Sequence, residues 1–182
     1  ALQSSCFDKQ NLIHHNNACL MLLGGTFCNI EDNAVKSFFS KVSHSINSNN
    51  YFIFSIDSNN NEASLQKAYD NIWLEKLAFN PFLFFKNTFC VEDFDPKAFQ
   101  YKYHWSKKKS EVQILLVATK KQKFIWNSKQ ITIDTDQAFH IITSKKRNLE
   151  FFKNNLKENN FKLLEILGEG EQQLKLCIAQ LL

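Results

Sequence analysis

Short apolar runs separated by polar, helix-compatible stretches dominate the first third of the chain. Ala18–Leu23 is a continuous apolar run of strand length, and Tyr51–Ile56 is a second, rich in β-branched and aromatic residues and ending in Asp57. Between them, Ala34–Ile46 predicts a helix, with Asp32 or Asn33 as its cap and Asn47–Asn50 as the return loop. Two buried strands joined by a helix of this length predict a parallel pair with a right-handed crossover. Ser58–Asn61 is a polar loop whose asparagines can cap a helix over Glu62–Asn71.

The pattern then changes. Phe79-Asn80-Pro81 opens a helical piece running to Thr88, and Asp95-Pro96 starts a turn. Tyr101–Trp105, Glu111–Ala118, Gln122–Trp126 and Gln130–Asp134 follow at close spacing, joined by short Lys/Ser/Asn turns, which predicts an antiparallel meander. The last third returns to α/β, with a helix over Leu149–Lys157 and strands over Phe161–Leu167 and Gln172–Leu181. Gly168 and Gly170 suit the hairpin between those strands, and no helix follows them to make a phosphate loop. The expected fold class is α/β with an inserted α+β layer.

The 182 residues suffice for one good core or one and a half small domains, and 44% hydrophobic with 22% charged residues fits a globular chain. No apolar stretch reaches membrane-spanning length, so no membrane partner is expected. Ala1–Gln10 lacks the basic start and apolar block of a secretory leader. The five cysteines are scattered without C-x-x-C spacing, which reads as a reducing cytoplasm and no zinc site. The histidines show no metal-ligand spacing either, and no metal is expected. Net charge is +4, with Lys107–Lys109, Lys120–Lys123 and Lys145–Arg147 as the denser clusters. Such clusters between strands read as solvated turns, and no nucleic-acid partner is expected.

Neither G-x-G-x-x-G, G-x-x-x-x-G-K-[ST] nor G-x-S-x-G occurs. The candidate chemistry lies instead in Leu23–Asn29 (LGGTFCN), at the end of the first strand, and Ala68–Asn71 (AYDN), beyond the strand that ends in Asp57. Ligands of open α/β sheets bind beyond the carboxyl ends of the strands. These two runs point to a small-molecule site.

Leu23–Asn29 resembles the L-G-S-T-I-G-N motif of the histidine-specific, S-adenosylmethionine-dependent methyltransferase family. Further matches follow in order. Ile56-Asp57 is similar to a family strand ending in Asp, and Leu65–Asn71 with Ala78-Phe79-Asn80 to its A-Y-D-D…F-N run. Asp93-Phe94-Asp95…Ala98-Phe99…Trp105 is similar to D-F-D…A-F…W, Glu111–Leu116 to an amphipathic strand, and Thr143–Lys146 to T-E-x-S-x-K. The match covers nearly all of this chain but only the C-terminal part of the family.

The resemblance implies a Rossmann-like methyltransferase domain, its N-terminal half not represented here, with an inserted substrate domain. The boundaries expected are 1–60 and 147–182 for the methyltransferase part and 61–146 for the insertion. It implies S-adenosyl-L-methionine as cofactor, near Gly24 and Thr26, with close backbone approach as the reason for the glycine. Asn29 and Tyr69 would hydrogen-bond the amino-acid end of the substrate, and Thr26 would line its meeting point with the cofactor. Without the resemblance, Asn29 reads as a helix cap and Tyr69 as a packed helix residue. Ser144 would face the substrate side chain, with Ile114 where relatives place a pocket Met.

The chain departs from the family pattern at Ile142, where relatives carry a Glu, and at Asp136-Gln137, where they carry a glycine. A buried imidazole left without one partner costs roughly 1–3 kcal/mol. The expected substrate is therefore a more apolar amino acid or a small amine, and N-methylation proceeds mainly by positioning, with no residue assigned as a chemical catalyst. Two alternatives are a non-catalytic relative or binding module that has lost the cofactor half, and an unrelated basic α/β domain. The chain alone leaves oligomeric state open.

Overall fold

The computed structural model describes residues 18–24, 26–29, 31–168 and 174–182. In chain order the elements are β1 (Cys19–Leu22), a 3₁₀ turn (Thr26–Asn29), α1 (Asp32–Ser45), β2 (Tyr51–Asp57), α2 (Glu62–Tyr69) and α3 (Ile72–Thr88). A second 3₁₀ turn (Pro96–Ala98) leads into β3 (Phe99–Ser106), β4 (Glu111–Ala118), β5 (Gln122–Trp126), β6 (Lys129–Ile133) and β7 (Ala138–Lys145). The chain closes with α4 (Leu149–Glu158), β8 (Phe161–Leu167) and β9 (Leu174–Leu181). The described residues form two compact units, one from those within 1–59 and 146–182 and the other from residues 60–145.

The first unit is α/β. Its sheet has the order β1-β2-β9-β8. β1 and β2 are parallel, in the register Cys19↔Tyr51 to Leu22↔Phe54, and the other pairs are antiparallel. β2 alternates so that Phe52, Phe54 and Ile56 are fully buried. The apolar positions of α1, Val35, Phe39 and Val42, recur at helical spacing and land on that face. Phe39 meets Phe52 and Phe54 edge-on, and Phe152 of α4 packs on the same Phe54 at 5.8 Å. Both helices therefore cover one face of the sheet. Asp32 or Asn33 was the expected cap of α1. The N-cap is instead Glu31, without a side-chain cap bond, and Asp32 is the first helical residue.

The second unit is α+β. Its antiparallel strands form a three-stranded sheet β3-β4-β7 and a separate ribbon β5-β6. This corrects a simple four-strand meander: the second neighbour of β4 is β7, not β5. The turn at Asp134–Gln137 is the cause. Asp136 N donates to Ala118 O and Ala118 N donates to Gln137 O, so the chain re-enters alongside β4.

α3 also starts earlier than Phe79. Asn71 accepts from Trp73 N and Leu74 N, a cap that launches the helix at Ile72, and Pro81 lies inside it. Asn71 thus begins one helix rather than ending another. Asn61 caps α2 through Ser64 N, as its loop position predicts. Leu65, Ala78, Phe94, Phe99, Ile114 and Leu116 form the centre of this unit's core. The β8–β9 pairing makes the terminal hairpin, with Gly168 at φ +142°; Gly170 lies outside the described residues.

Candidate functional site

In the first unit, the polar cluster beyond the strand ends is tied together by charge. Cys28, in the 3₁₀ turn, is buried, and its Sγ accepts from Asp57 N at 3.2 Å. That contact fastens the turn after β1 to the end of β2. Burial pushes the Cys28 thiol up from its ordinary value, with the Asp57 backbone contact and the nearby Lys146 and Arg147 charges pulling the other way. The Asp57 carboxylate accepts a hydrogen bond from Asn59 N at 3.0 Å and pairs with Lys146 Nζ.

The Lys146 side chain is only 1% exposed, against 29% for Asp57. Arg147 Nε donates to Cys28 O at 3.0 Å, its Nη2 donates to Asp32 Oδ1 at 2.6 Å, and its guanidinium lies 4.5 Å from the centroid of the Phe151 ring. The Lys145–Arg147 cluster, expected as a solvated turn, is corrected here: Lys146 and Arg147 are buried. A lysine loses its hydration on burial and is kept there by a partner of opposite sign. A run of three basic residues does not reveal that partner, which lies 89 positions upstream.

At the β1 end, Gly24 has φ +84°, and among the described residues a Cβ there would meet nothing within 4 Å. The positive φ is the left-handed turn conformation that favours glycine. Asn29 ends the 3₁₀ turn and is exposed, and with Glu31 as the cap of α1, Asn29 is not that cap. Thr26 opens the same turn.

The second unit assembles a neutral site. Tyr69 closes α2, and its hydroxyl shares a 2.8 Å hydrogen bond with Ser144 Oγ on β7, across 75 positions of sequence. Tyr101 on β3 donates its hydroxyl to Tyr69 O, holding the C-terminal turn of α2 in place. Burial, with the Asp70 and Glu75 charges adding to it, pushes the Tyr101 hydroxyl up to about 12.

Register aligns the rows beneath Tyr69. Trp105, Val112 and Ser144 stand opposite one another across the sheet, and Tyr103, Ile114 and Ile142 form the next row on the same face. Ile142 is half-buried beside the Tyr69–Ser144 pair. Ile114, expected as a pocket wall, is 0% exposed and belongs to the core, so none of its surface is open to a ligand.

Tyr69, Ser144 and Ile142 thus converge in one unit, while Gly24, Thr26 and Asn29 belong to the other. The reading of the chain alone missed Tyr101, whose alternation with Tyr103 and Trp105 on a strand was its only signal. Among the described residues no group of three or more His, Cys, Asp or Glu could hold a metal ion, and no helix is long and apolar enough to cross a membrane.

The family model described as "Histidine-specific methyltransferase, SAM-dependent" matches residues 3–181. No curated protein matches the chain. Among solved structures, the chain is similar to an S-adenosylmethionine-dependent methyltransferase from Clostridium acetobutylicum, at 12% identity and TM-score 0.47, covering 92% of this chain and 60% of that one. It is similar to the CcbJ methyltransferase from Streptomyces caelestis, at 6% identity and TM-score 0.44, covering 96% and 61%. A third is the glycopeptide N-methyltransferase MtfA complexed with S-adenosyl-L-homocysteine, at 9% identity and TM-score 0.38, covering 90% and 54%. The chain therefore spans 54–61% of the length of these solved proteins.

Proposed function

The chain belongs to the histidine-specific, SAM-dependent methyltransferase family, and from that premise we propose that it forms part of an N-methyltransferase acting on the amine of an apolar amino acid or a similar small amine. The observation that carries this reading is the Tyr69–Ser144 hydrogen bond with Ile142 beside it. Two hydroxyls, each able to donate and accept, form a neutral anchor that can turn to a ligand's polar end. Ile142, half-buried in the register row next to Ser144, offers no acceptor for an imidazole N–H. The pocket chemistry therefore favours an apolar side chain over histidine.

S-adenosyl-L-methionine, when bound, supplies an electrophilic methyl group. Among the described residues a Cβ on Gly24 would meet nothing within 4 Å, which is compatible with a ligand at that strand end. Gly24 and Thr26 would hold the cofactor there, with Asn29 offering both a donor and an acceptor to the substrate's amino-acid end. The contribution of these residues is to bind and orient, which is where most of the rate enhancement of such a transfer comes from.

The test is isothermal titration of the protein in its full reading frame, with S-adenosyl-L-homocysteine present, against histidine, leucine, phenylalanine and small primary amines. An apolar amino acid is expected to bind at least tenfold tighter than histidine, and Ile142→Glu to move the preference toward histidine by about tenfold. Stabilisation by no member of either ligand class would replace this reading with a non-catalytic relative.

A further inference from the structure

The second unit contains an apolar cleft of about 420 Å³ that the Tyr69–Ser144 pair does not use. α3 forms one wall with Phe82 and Phe85, and the β5–β6 ribbon forms the other with Phe124, Trp126 and Ile131; Phe139 at the start of β7 contributes to the lining. Thr132 and Gln137 are the polar side chains of the lining, and none of the lining residues is charged. Protein interiors rarely keep voids much larger than a water molecule, whose share of liquid volume is about 30 Å³. A cleft of this size falls within the range of small-molecule sites, which are mostly apolar with a few polar groups.

Its origin lies in the strand pairing. Because β4 takes β7 as its second neighbour, the β5–β6 ribbon is left as a separate two-stranded sheet facing α3. A two-stranded ribbon gains its stability from packing, here against α3 through Phe124 and Trp126. The rings already meet edge to face: Phe82 with Phe139 at 5.5 Å, Phe85 with Trp126 at 5.4 Å. A planar aromatic guest extends that geometry, because ring edges and faces attract in this arrangement.

The cleft is separate from the proposed amine site. Phe139 stands opposite Leu116 and Ser144 opposite Val112, four residues along β4, or about 13 Å. Ile114, fully buried, lies between them.

We propose that this cleft binds a small, uncharged aromatic molecule. The reading rests on the cleft's own lining and does not depend on methyl transfer. A charged guest finds no counter-ion in the walls and would be desolvated without compensation.

The full chain, carrying ¹³C-labelled isoleucine methyls, would be titrated with indole and with indole-3-acetate. Saturable indole binding is expected, with shifts at Ile131 and Ile133 and none at Ile114 or Ile142, and with indole-3-acetate at least tenfold weaker. Ile131→Trp, which fills the cleft, is expected to weaken indole binding at least tenfold. The methyl shifts of the unsubstituted chain localise the guest independently should that variant misfold. The proposal is overturned by absence of saturation, by equal affinity for the acetate, or by shifts at Ile142. It is equally overturned if the same shifts arise on concentrating the protein without indole, which would make a second copy the occupant.

Discussion

The two units use polar residues in opposite ways. In the first, Lys146 and Arg147 are buried and committed to Asp57, Asp32 and the Cys28 carbonyl. In the second, Tyr69 and Ser144 share one neutral hydrogen bond above an apolar floor. Breaking a buried ion pair by removing one partner costs about 3–5 kcal/mol, whereas a neutral hydrogen bond contributes about 0.5–1.5 kcal/mol net. Charge at the strand ends therefore works as a structural fastening. The hydroxyl pair is weak enough for a ligand to replace, and so it is the better candidate for recognition.

The comparison is broken most severely at Asp57. Asp57→Ala leaves Lys146 buried without its carboxylate and is expected to lower the stability of the first unit by about 3–5 kcal/mol in urea unfolding. Lys146→Met should cost less, because Asp57 is partly hydrated at 29% exposure. The double variant should be milder than the sum of the two, since the pair is removed whole. Additive losses would mean that the two side chains are not coupled.

Next in size is the effect of the hydroxyl pair on ligand affinity. Tyr69→Phe and Ser144→Ala are each expected to lower substrate affinity about tenfold in the full-length protein while costing only about 0.5–1.5 kcal/mol of stability. The two effects should be non-additive. Full affinity in either variant would remove the second unit's claim to the substrate.

The helix caps sharpen the boundary between α2 and α3. Asn61→Ala and Asn71→Ala are each expected to cost about 1 kcal/mol, read from denaturant midpoints. A silent Asn71 would return the start of α3 toward Phe79.

The last expected effect is a titration, confined to pH above about 10. Tyr101 ionises near 12 when folded, against about 10 when unfolded. The folded state then holds a proton that the unfolded state has released, so stability contributed by this group is intact below about pH 10 and is lost as pH rises toward 12. Ultraviolet titration of phenolate should show a late step assigned to Tyr101, and Tyr101→Phe should remove that step.

Much of the architecture was legible in the chain. The apolar runs at Ala18–Leu23 and Tyr51–Ile56, with helical spacing between them, are enough for a parallel pair, and β1 and β2 are parallel. β7 was not legible as a strand. Ile141 and Ile142 follow one another in the sequence, which breaks the alternation that marks a half-buried strand; the register shift at Ile114/Leu115 accommodates the extra residue. Without β7, β5 was the visible candidate for β4's second neighbour. Tyr69 and Ser144 could be named through the resemblance, but no local pattern says that residues 75 positions apart share a hydrogen bond.

What the amino-acid order determined by itself is local: strand and helix type over most of the chain, the capping role of Asn61 and the run LGGTFCN after β1. These depend on propensity and on spacing within a few residues. Tertiary structure alone decided that Lys146 and Arg147 turn inward, that Ile114 is sealed, and that the β5–β6 ribbon stands off to leave a cleft. Each of these depends on which distant segment supplies the counter-charge, the cover or the hydrogen-bonded edge, and burial energy is settled only once that neighbour is in place.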